Sequence, residues 1–343
     1  MKASYAHYTL HFRQPAGTSR GVLTDKETYF LKLEDEDMPG VFGLGECAVF
    51  RGLSADDVPA YEDKLRELCA NISADKETDL HEFPSIRFGL ETASNGFANG
   101  CRRQPFPSDF TEGMSAIPIN GLVWMGTKEE MLRRIDDKIK AGFTTIKLKV
   151  GAIDTESELD LVRHIRKVFP PEALTIRLDA NGALQKLSDF ARYGIHSIEQ
   201  PIKQGQWEAM RRICSESPID IALDEELIGI HTPERMGEML DAVRPKYIIL
   251  KPSLIGGFSG SQDWIMQAAR RDIGGWVTSA LESNVGLNAI AQWTAQLGAR
   301  MPQGLGTGAL FTNNIGSPLE QVGEVLRFNP AKTWQLPELD WRQ

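Results

Sequence analysis

The sequence predicts an α/β protein: a TIM-type barrel of parallel strands wrapped by helices, preceded by a smaller α+β domain. Three observations carry that expectation. From Ile117 onward, short apolar runs alternate with amphipathic helical patterns, as in a parallel sheet covered by helices. Charged residues close successive runs at Lys149, Asp179, Glu199, Asp224 and Lys251, in steps of 30, 20, 25 and 27 residues. Each step fits one strand plus its return helix, and barrel active sites stand at the C-terminal strand ends. Residues 1–50, by contrast, alternate apolar and polar, as antiparallel strands with one solvated face do.

Taken in order, Ser4–Phe12 and Thr28–Leu33 read as strands, interrupted by Gly-containing loops at Pro15–Gly21 and Gly43–Ala48. Helical patterns cover 55–72 and 84–100, so residues 1–112 form the first domain. Within the barrel, 113–315, strands fit Thr145–Val150, Leu174–Asp179, Ser197–Glu199, Ile219–Asp224 and Tyr247–Lys251. The helix at 128–140 gathers Met131, Leu132, Ile135 and Ile139 on one face, and Gly142 ends it. A second helix, Glu158–Phe169, stops at Pro170-Pro171. Further helices fit 206–216, 232–242, 259–272 and 286–298. Residues 316–343 turn mixed and polar and rejoin the N-terminal domain; no linker separates the parts, which predicts tight packing.

Bulk properties narrow the function. In 343 residues, 41% are hydrophobic and 25% charged, ordinary for a globular protein. A formal net charge of −9 gives no basic face for nucleic acid. No run reaches the length of a membrane span, and the first residues lack an apolar signal core. A cytoplasmic enzyme acting on a small-molecule carboxylate is expected. Cys47, Cys69, Cys101 and Cys214 are scattered and read as free thiols.

Charged side chains are costly in a buried strand unless paired or bound to metal. Asp179, Glu199 and Asp224 are hard oxygen donors on neighbouring strands, suited to Mg²⁺ or Mn²⁺. Any one of them could instead pair with a lysine or cap the next helix. Three together repel one another unless a cation offsets them. Lys147 and Lys149 share one strand face; crowded by each other and by a cation, at least one should have a lowered pKa and serve as a general base. Lys251 lies across the barrel from Lys149, as a second acid/base or a fixed charge facing an anion. Arg177 shares the inward face of Asp179 and could bind a substrate carboxylate or form a supporting ion pair. Ser279, Gly306 and Thr307, in Ser279–Asn284 and Gly304–Gly308, lie where free backbone N–H groups could meet an anion. Asn181 and Glu225 stand beside Asp179 and Asp224 in a supporting position.

At these residues the chain resembles the enolase superfamily, in its muconate-lactonizing branch. The branch pattern reads here as Lys147-Leu-Lys149, Asp179-Ala-Asn181, Glu199-Gln-Pro201, Asp224-Glu225 and Lys251. The resemblance implies a modified (β/α)7β barrel, with a capping domain built from the N-terminal part and the C-terminal end. Within the branch, Ala16–Gly21, Pro118–Gly126, Arg177–Asp179, Lys251–Gly257 and Gly304–Gly308 are most similar to the o-succinylbenzoate synthase family. Implied roles follow: metal on Asp179, Glu199 and Asp224, Lys149 as base and then acid, and Lys251 stabilising charge. Loops at Gly17–Gly21 and Gly45–Arg51 would close over the substrate's succinyl chain.

The same site in a racemase of N-succinylamino acids, a dipeptide epimerase or a muconate cycloisomerase is the rival expectation. Two lysines on opposite faces do not separate dehydration from racemisation. Gly304–Gly308 lacks the Asp-x-Asp of dipeptide epimerases, and no histidine lies near Thr278–Leu281 to serve a sugar-acid dehydratase. A non-catalytic scaffold would have been favoured by loss of Lys149, Asp179, Glu199 or Asp224, and all four are present.

Overall fold

The structure, a computed structural model, describes residues 1–18, 21–100, 103–151, 153–180 and 187–343. Three antiparallel strands open the chain: β1 (Lys2–Thr18), β2 (Gly21–Glu34) and β3 (Phe42–Cys47), in the order β1-β2-β3. Helices α1 (Tyr61–Ser73) and α2 (Pro84–Ala98) pack on this sheet around Tyr5, Leu31, Tyr61, Leu65 and Ile86.

Here the structure corrects one expectation. Gly43 and Gly45 lie in strand β3 rather than in a loop. A Cβ on Gly45 would stand 1.9 Å from the Gly89 carbonyl oxygen, and one on Gly43 2.0 Å from that of Ala93. These glycines let a strand lie directly on helix α2, a use of strand glycine that resembles a turn signal in sequence. Most of Pro15–Gly21 is likewise the end of a long hairpin, with Thr18 paired to Gly21.

Seven parallel strands follow: β5 (Gly121–Val123), β6 (Thr145–Lys149), β7 (Thr175–Asp179), β8 (Ile195–Glu199), β9 (Ile221–Leu223), β10 (Tyr247–Leu250) and β11 (Gly274–Val277), hydrogen-bonded in chain order. Helices follow each in turn: α3 (Lys128–Lys140), α4 (Thr155–Arg166), α5 (Leu187–Ala191), α6 (Trp207–Glu216), α7 (Pro233–Val243), α8 (Gly257–Ala269) and α9 (Asn284–Gln296). Gln303-Gly304 then closes the ring: Gly304 N donates to Val277 O (2.8 Å) and Asn120 N donates to Gln303 O (2.9 Å). That is a (β/α)7β barrel, its last strand a two-residue stub. The core fills the space between strands and helices, with Ile146, Leu148, Ile176, Leu178 and Ile198 all fully buried.

Helix ends follow local chemistry. Thr127 and Glu130 form a reciprocal capping box on α3. Asp154 caps α4, which begins three residues earlier than its apolar pattern predicts and ends well before Pro170-Pro171. Ser283 caps α9. The five-residue α5 was not predicted; it is short and buries only Phe190.

A third sheet, β12 (Leu319–Val322), β13 (Val325–Phe328) and β4 (Ala116–Pro118), lies at the N-terminal end of the barrel. Glu324 there accepts from Thr144 N, just ahead of β6. The chain then returns to the first sheet, where Arg342 and Tyr5 exchange backbone hydrogen bonds of 2.8 Å and Trp334, Leu336 and Trp341 pack near Phe30 and Leu44. No helix among the described residues is long and apolar enough to cross a membrane, and Cys47, Cys69 and Cys214 are free thiols.

Candidate active site

Parallel register brings the predicted residues to one rim. Lys149 pairs in register with Asp179, and Asp179 with Glu199. Asp224 directly follows β9, and Lys251 directly follows β10. Strands β6 and β10 are four steps apart in either direction around the closed ring, so Lys149 and Lys251 face each other across it.

Between them opens a cavity with about 830 Å³ of empty space including its mouth, lined by Lys147, Lys149, Lys251, Asp179 and Glu225. Ser279, Gly306 and Thr307 also line it, as does Phe50 from the capping segment. Sequence reasoning gave no individual role to the rest of the wall: Leu53, Asn120, Leu122, Trp124, Thr278, Ala280, Leu281 and Gly304. Only the strand pattern at 121–123 could have signalled part of it, because inward positions two apart on a barrel strand share a face.

Within the site, Lys147 Nζ lies 2.7 Å from both carboxylate oxygens of Glu199 and 2.9 Å from Asp179 Oδ2. Lys149 Nζ lies 3.0 Å from the same Asp179 oxygen and 5.5 Å from the centre of the Trp124 ring. Lys251 is ion-paired to Asp224. Gln200, in a left-handed backbone conformation (φ 41°), accepts through Oε1 from the backbone N–H groups of Asp224 and Glu226. It thereby ties the end of β8 to the turn that carries Asp224.

Burial raises the cost of every charge here, and the partners decide the outcome. Burial would push Asp179 up, but Lys147 and Lys149 more than offset it and hold the carboxyl below its usual range. Glu199 is pushed up to about 8, by burial first and then by repulsion from Asp179, with Lys147 opposing. Burial pulls Lys147 down, yet Asp179 and Glu199 raise it further. Asp224 and Lys251 also both rise, the acid through burial and the amine because Asp224 and Glu225 outweigh its burial. Lysine and carboxylate cannot both win the proton. The bidentate contact of Lys147 with Glu199 places it on the amine.

Two expectations are narrowed. The lowering expected of at least one lysine does not fall on Lys147, where Asp179, Glu199 and Asp224 outweigh burial. Arg177, inward-facing as predicted, does not line the cavity; nor do Glu199 and Asp224, which are held by Lys147 and Lys251 of the lining. The Arg177 guanidinium stacks 3.9 Å from the Trp276 ring centre and donates to Pro302 O at 2.8 Å. Burial lowers its pKa to about 10. It supports the barrel floor. Asn181 lies outside the described residues.

The donor set suits a hard divalent cation in kind. Asp179 Oδ1 is buried without a hydrogen-bond partner among the described residues. As the side chains stand, no three Asp, Glu, His or Cys residues among those described converge on a metal-sized point; Lys147 sits between Asp179 and Glu199. A cation would therefore compete with that amine for the carboxylate oxygens.

Known proteins agree with this architecture. The family described as enolase C-terminal domain-like matches residues 130–318. An o-succinylbenzoate synthase from Desulfotalea psychrophila is 44% identical, over 95% of this chain and 98% of the relative. The L-Ala-D/L-Glu epimerase of Bacillus subtilis is 29% identical over 75% of this chain and 74% of that protein. Among solved structures, MenC from Desulfotalea psychrophila superposes with a TM-score of 0.85 at 41% identity, covering 95% of this chain and 99% of the other. A barrel closed by a two-residue eighth strand, a separate cap, and acids and lysines on one rim thus coincide with whole-length similarity: the chain belongs to the enolase superfamily.

Proposed function

We propose that this enzyme is an o-succinylbenzoate synthase: it removes water from 2-succinyl-6-hydroxy-2,4-cyclohexadiene-1-carboxylate by syn elimination, the dehydration step of menaquinone synthesis. The observation that carries the reading is Lys149 and Lys251 facing each other across one cavity, beside three carboxylates on adjacent strand ends. The 44% identity of the Desulfotalea synthase over nearly the whole chain supports the choice of substrate.

Asp179, Glu199 and Asp224 would hold Mg²⁺, with Mn²⁺ as a substitute. When bound, the ion supplies positive charge against the substrate carboxylate as its α-carbon loses a proton. Lys149, as the free amine, takes that proton from the carbon bearing the carboxylate. The electron pair left behind forms the new ring double bond, and the C–O bond to the hydroxyl group breaks. The Lys149 ammonium returns its proton to the departing hydroxide, so water leaves and the ring is aromatic. Lys251, kept charged by Asp224, faces the developing anion from the opposite side. Lys147, between Asp179 and Glu199, offsets part of their charge and fixes their positions. Phe50, Leu53, Trp124 and Leu281 form an apolar wall that excludes water, while Ser279, Gly306 and Thr307 offer polar contacts to the succinyl end.

A second reading rests on the same pair of amines. Bases on both faces suit 1,1-proton transfer, so racemisation of N-succinylamino acids is the alternative activity. We also propose domain limits at 1–112, 113–315 and 316–343, supported by the strand pairing that surrounds the barrel.

The test is the ultraviolet absorbance of o-succinylbenzoate formed from its cyclohexadiene precursor. Turnover that stops with chelator and returns with Mg²⁺ is expected. No turnover, with efficient racemisation of an N-succinylamino acid instead, would replace the synthase with the alternative.

A further inference from the structure

Glu282 lies outside the cavity lining, yet it is fully buried between the two turns that build one side of that cavity. One of its oxygens accepts from Ser253 Oγ at 2.5 Å. Ser253 belongs to the turn that begins at Lys251, where Leu254 N donates to Lys251 O (2.8 Å). The other oxygen accepts from Ser279 Oγ (2.6 Å) and Ala280 N (2.8 Å). Ser279, Ala280 and Leu281 all line the cavity. Leu281 is held there in the left-handed region, at φ 63°, with its N–H donating to Ser279 Oγ. Such a conformation in a bulky residue is strained and persists only where surroundings over-determine it. Glu282 supplies that determination from behind.

The cap reaches the same spot. Glu46 of β3, also fully buried, accepts from Ser283 N, Ser283 Oγ and Gly286 N at the start of α9, and from Thr28 Oγ1 of β2. Lys26 of β2 is buried and its Nζ has no hydrogen-bond partner among the described residues; burial lowers its pKa, against the attraction of Glu46 and Glu282.

We infer that Glu282 is a positioning residue that locks the Lys251 turn and the Ser279–Leu281 wall together, directly beside the contacts by which Glu46 of the capping domain holds the start of α9, so that docking of the cap and the shape of the catalytic cavity are set by one buried cluster. For catalysis this rests on the synthase reading; for the local structure it does not.

The experiment keeps the two apart. Amide hydrogen exchange of the full-length protein reads the turns without substrate. In Glu282→Met, residues 251–257 and 278–286 should exchange at least about tenfold faster while strand β6 keeps its protection, and Glu282→Gln should restore most of the difference. Ser253→Ala removes one donor to Glu282; Ser279→Ala removes another, and with it the acceptor of the Leu281 N–H. In the synthase assay Ser253→Ala should mainly lower kcat, through Lys251, and Ser279→Ala should mainly raise KM, each by roughly tenfold, the size expected for a hydrogen bond to a charged group. Unchanged exchange in both turns for Glu282→Met, or kcat and KM moving equally in the two serine variants, overturns the inference. A parent protein with no synthase turnover but with the exchange pattern intact would sink the synthase reading and leave the positioning role standing.

Discussion

Two buried clusters of acid and amine sit close together in this molecule, and they are built differently. At the seam between cap and barrel, Glu46 and Glu282 are satisfied by hydroxyl and backbone N–H donors at 2.5–2.9 Å. At the barrel rim, Asp179, Glu199 and Asp224 are met by lysine amines, and one oxygen of Asp179 has no hydrogen-bond partner among the described residues. Neutral donors hold a carboxylate in one place and give it nothing to exchange. Amines bring protons that can move, and an unfilled lone pair leaves room for a cation. The seam is built for geometry, and the rim for chemistry.

Substitutions at the rim should therefore act on turnover first. Lys149→Ala is expected to cost the most, a fall in kcat of about 10³-fold or more with the thermal midpoint nearly unchanged; retained turnover would show that another group is the base. At the seam the loss should appear in stability. Glu46→Ala strips the partner from four donors and should reduce the unfolding free energy by about 3 kcal/mol, measured in denaturant. A loss below about 1 kcal/mol would mean that solvent replaces the carboxylate and the seam is loose.

A third buried acid sharpens the contrast through pH. Asp56, in the cap, accepts from Ser85 N and Ser85 Oγ, and its Oδ1 has no hydrogen-bond partner among the described residues. Burial lifts its pKa from 3.8 to about 6, against those hydrogen bonds. A carboxyl raised on folding binds protons more tightly in the native state, so stability falls as pH rises between those two values and stays lower above them. The contribution is roughly 2–3 kcal/mol. Asp56→Asn should remove that slope from a series of denaturant midpoints taken at pH 4 to 8. A slope identical to the parent's would place the titration elsewhere. The smallest effect is expected at Arg177→Met: KM changed by less than about twofold, and stability lowered by about 1–2 kcal/mol through loss of the contact with Trp276.

How legible each region was in sequence follows the same division. Lys149, Asp179, Glu199, Asp224 and Lys251 could be read because strand ends obey a local rule: an apolar run followed by a charge, repeated at the length of one strand and helix. The barrel itself rests on that periodicity. Arg177 obeys the same inward rule as Lys147, its partner in register, but the way a long side chain turns is not written in spacing: Lys147 reaches Glu199 and Arg177 reaches Trp276 and Pro302 O. Gly43 and Gly45 looked like a turn because strand–helix contact and chain reversal select the same residue. The cavity wall at Phe50, Leu53 and Trp124, and the Lys26–Glu46–Glu282 seam, join segments up to more than two hundred residues apart. No local pattern marks such a pairing. The resemblance to the enolase superfamily carried the cap and the closing strand further than periodicity alone.

The proposed chemistry requires a divalent ion gripped by the three rim carboxylates, and calorimetric titration of Mg²⁺ into the parent protein and into Asp179→Asn measures this directly. One ion bound per chain by the parent, and none by a still-folded Asp179→Asn, is the predicted result. No binding to the parent, or unchanged binding after Asp179, Glu199 and Asp224 have all been converted to amides, would contradict it.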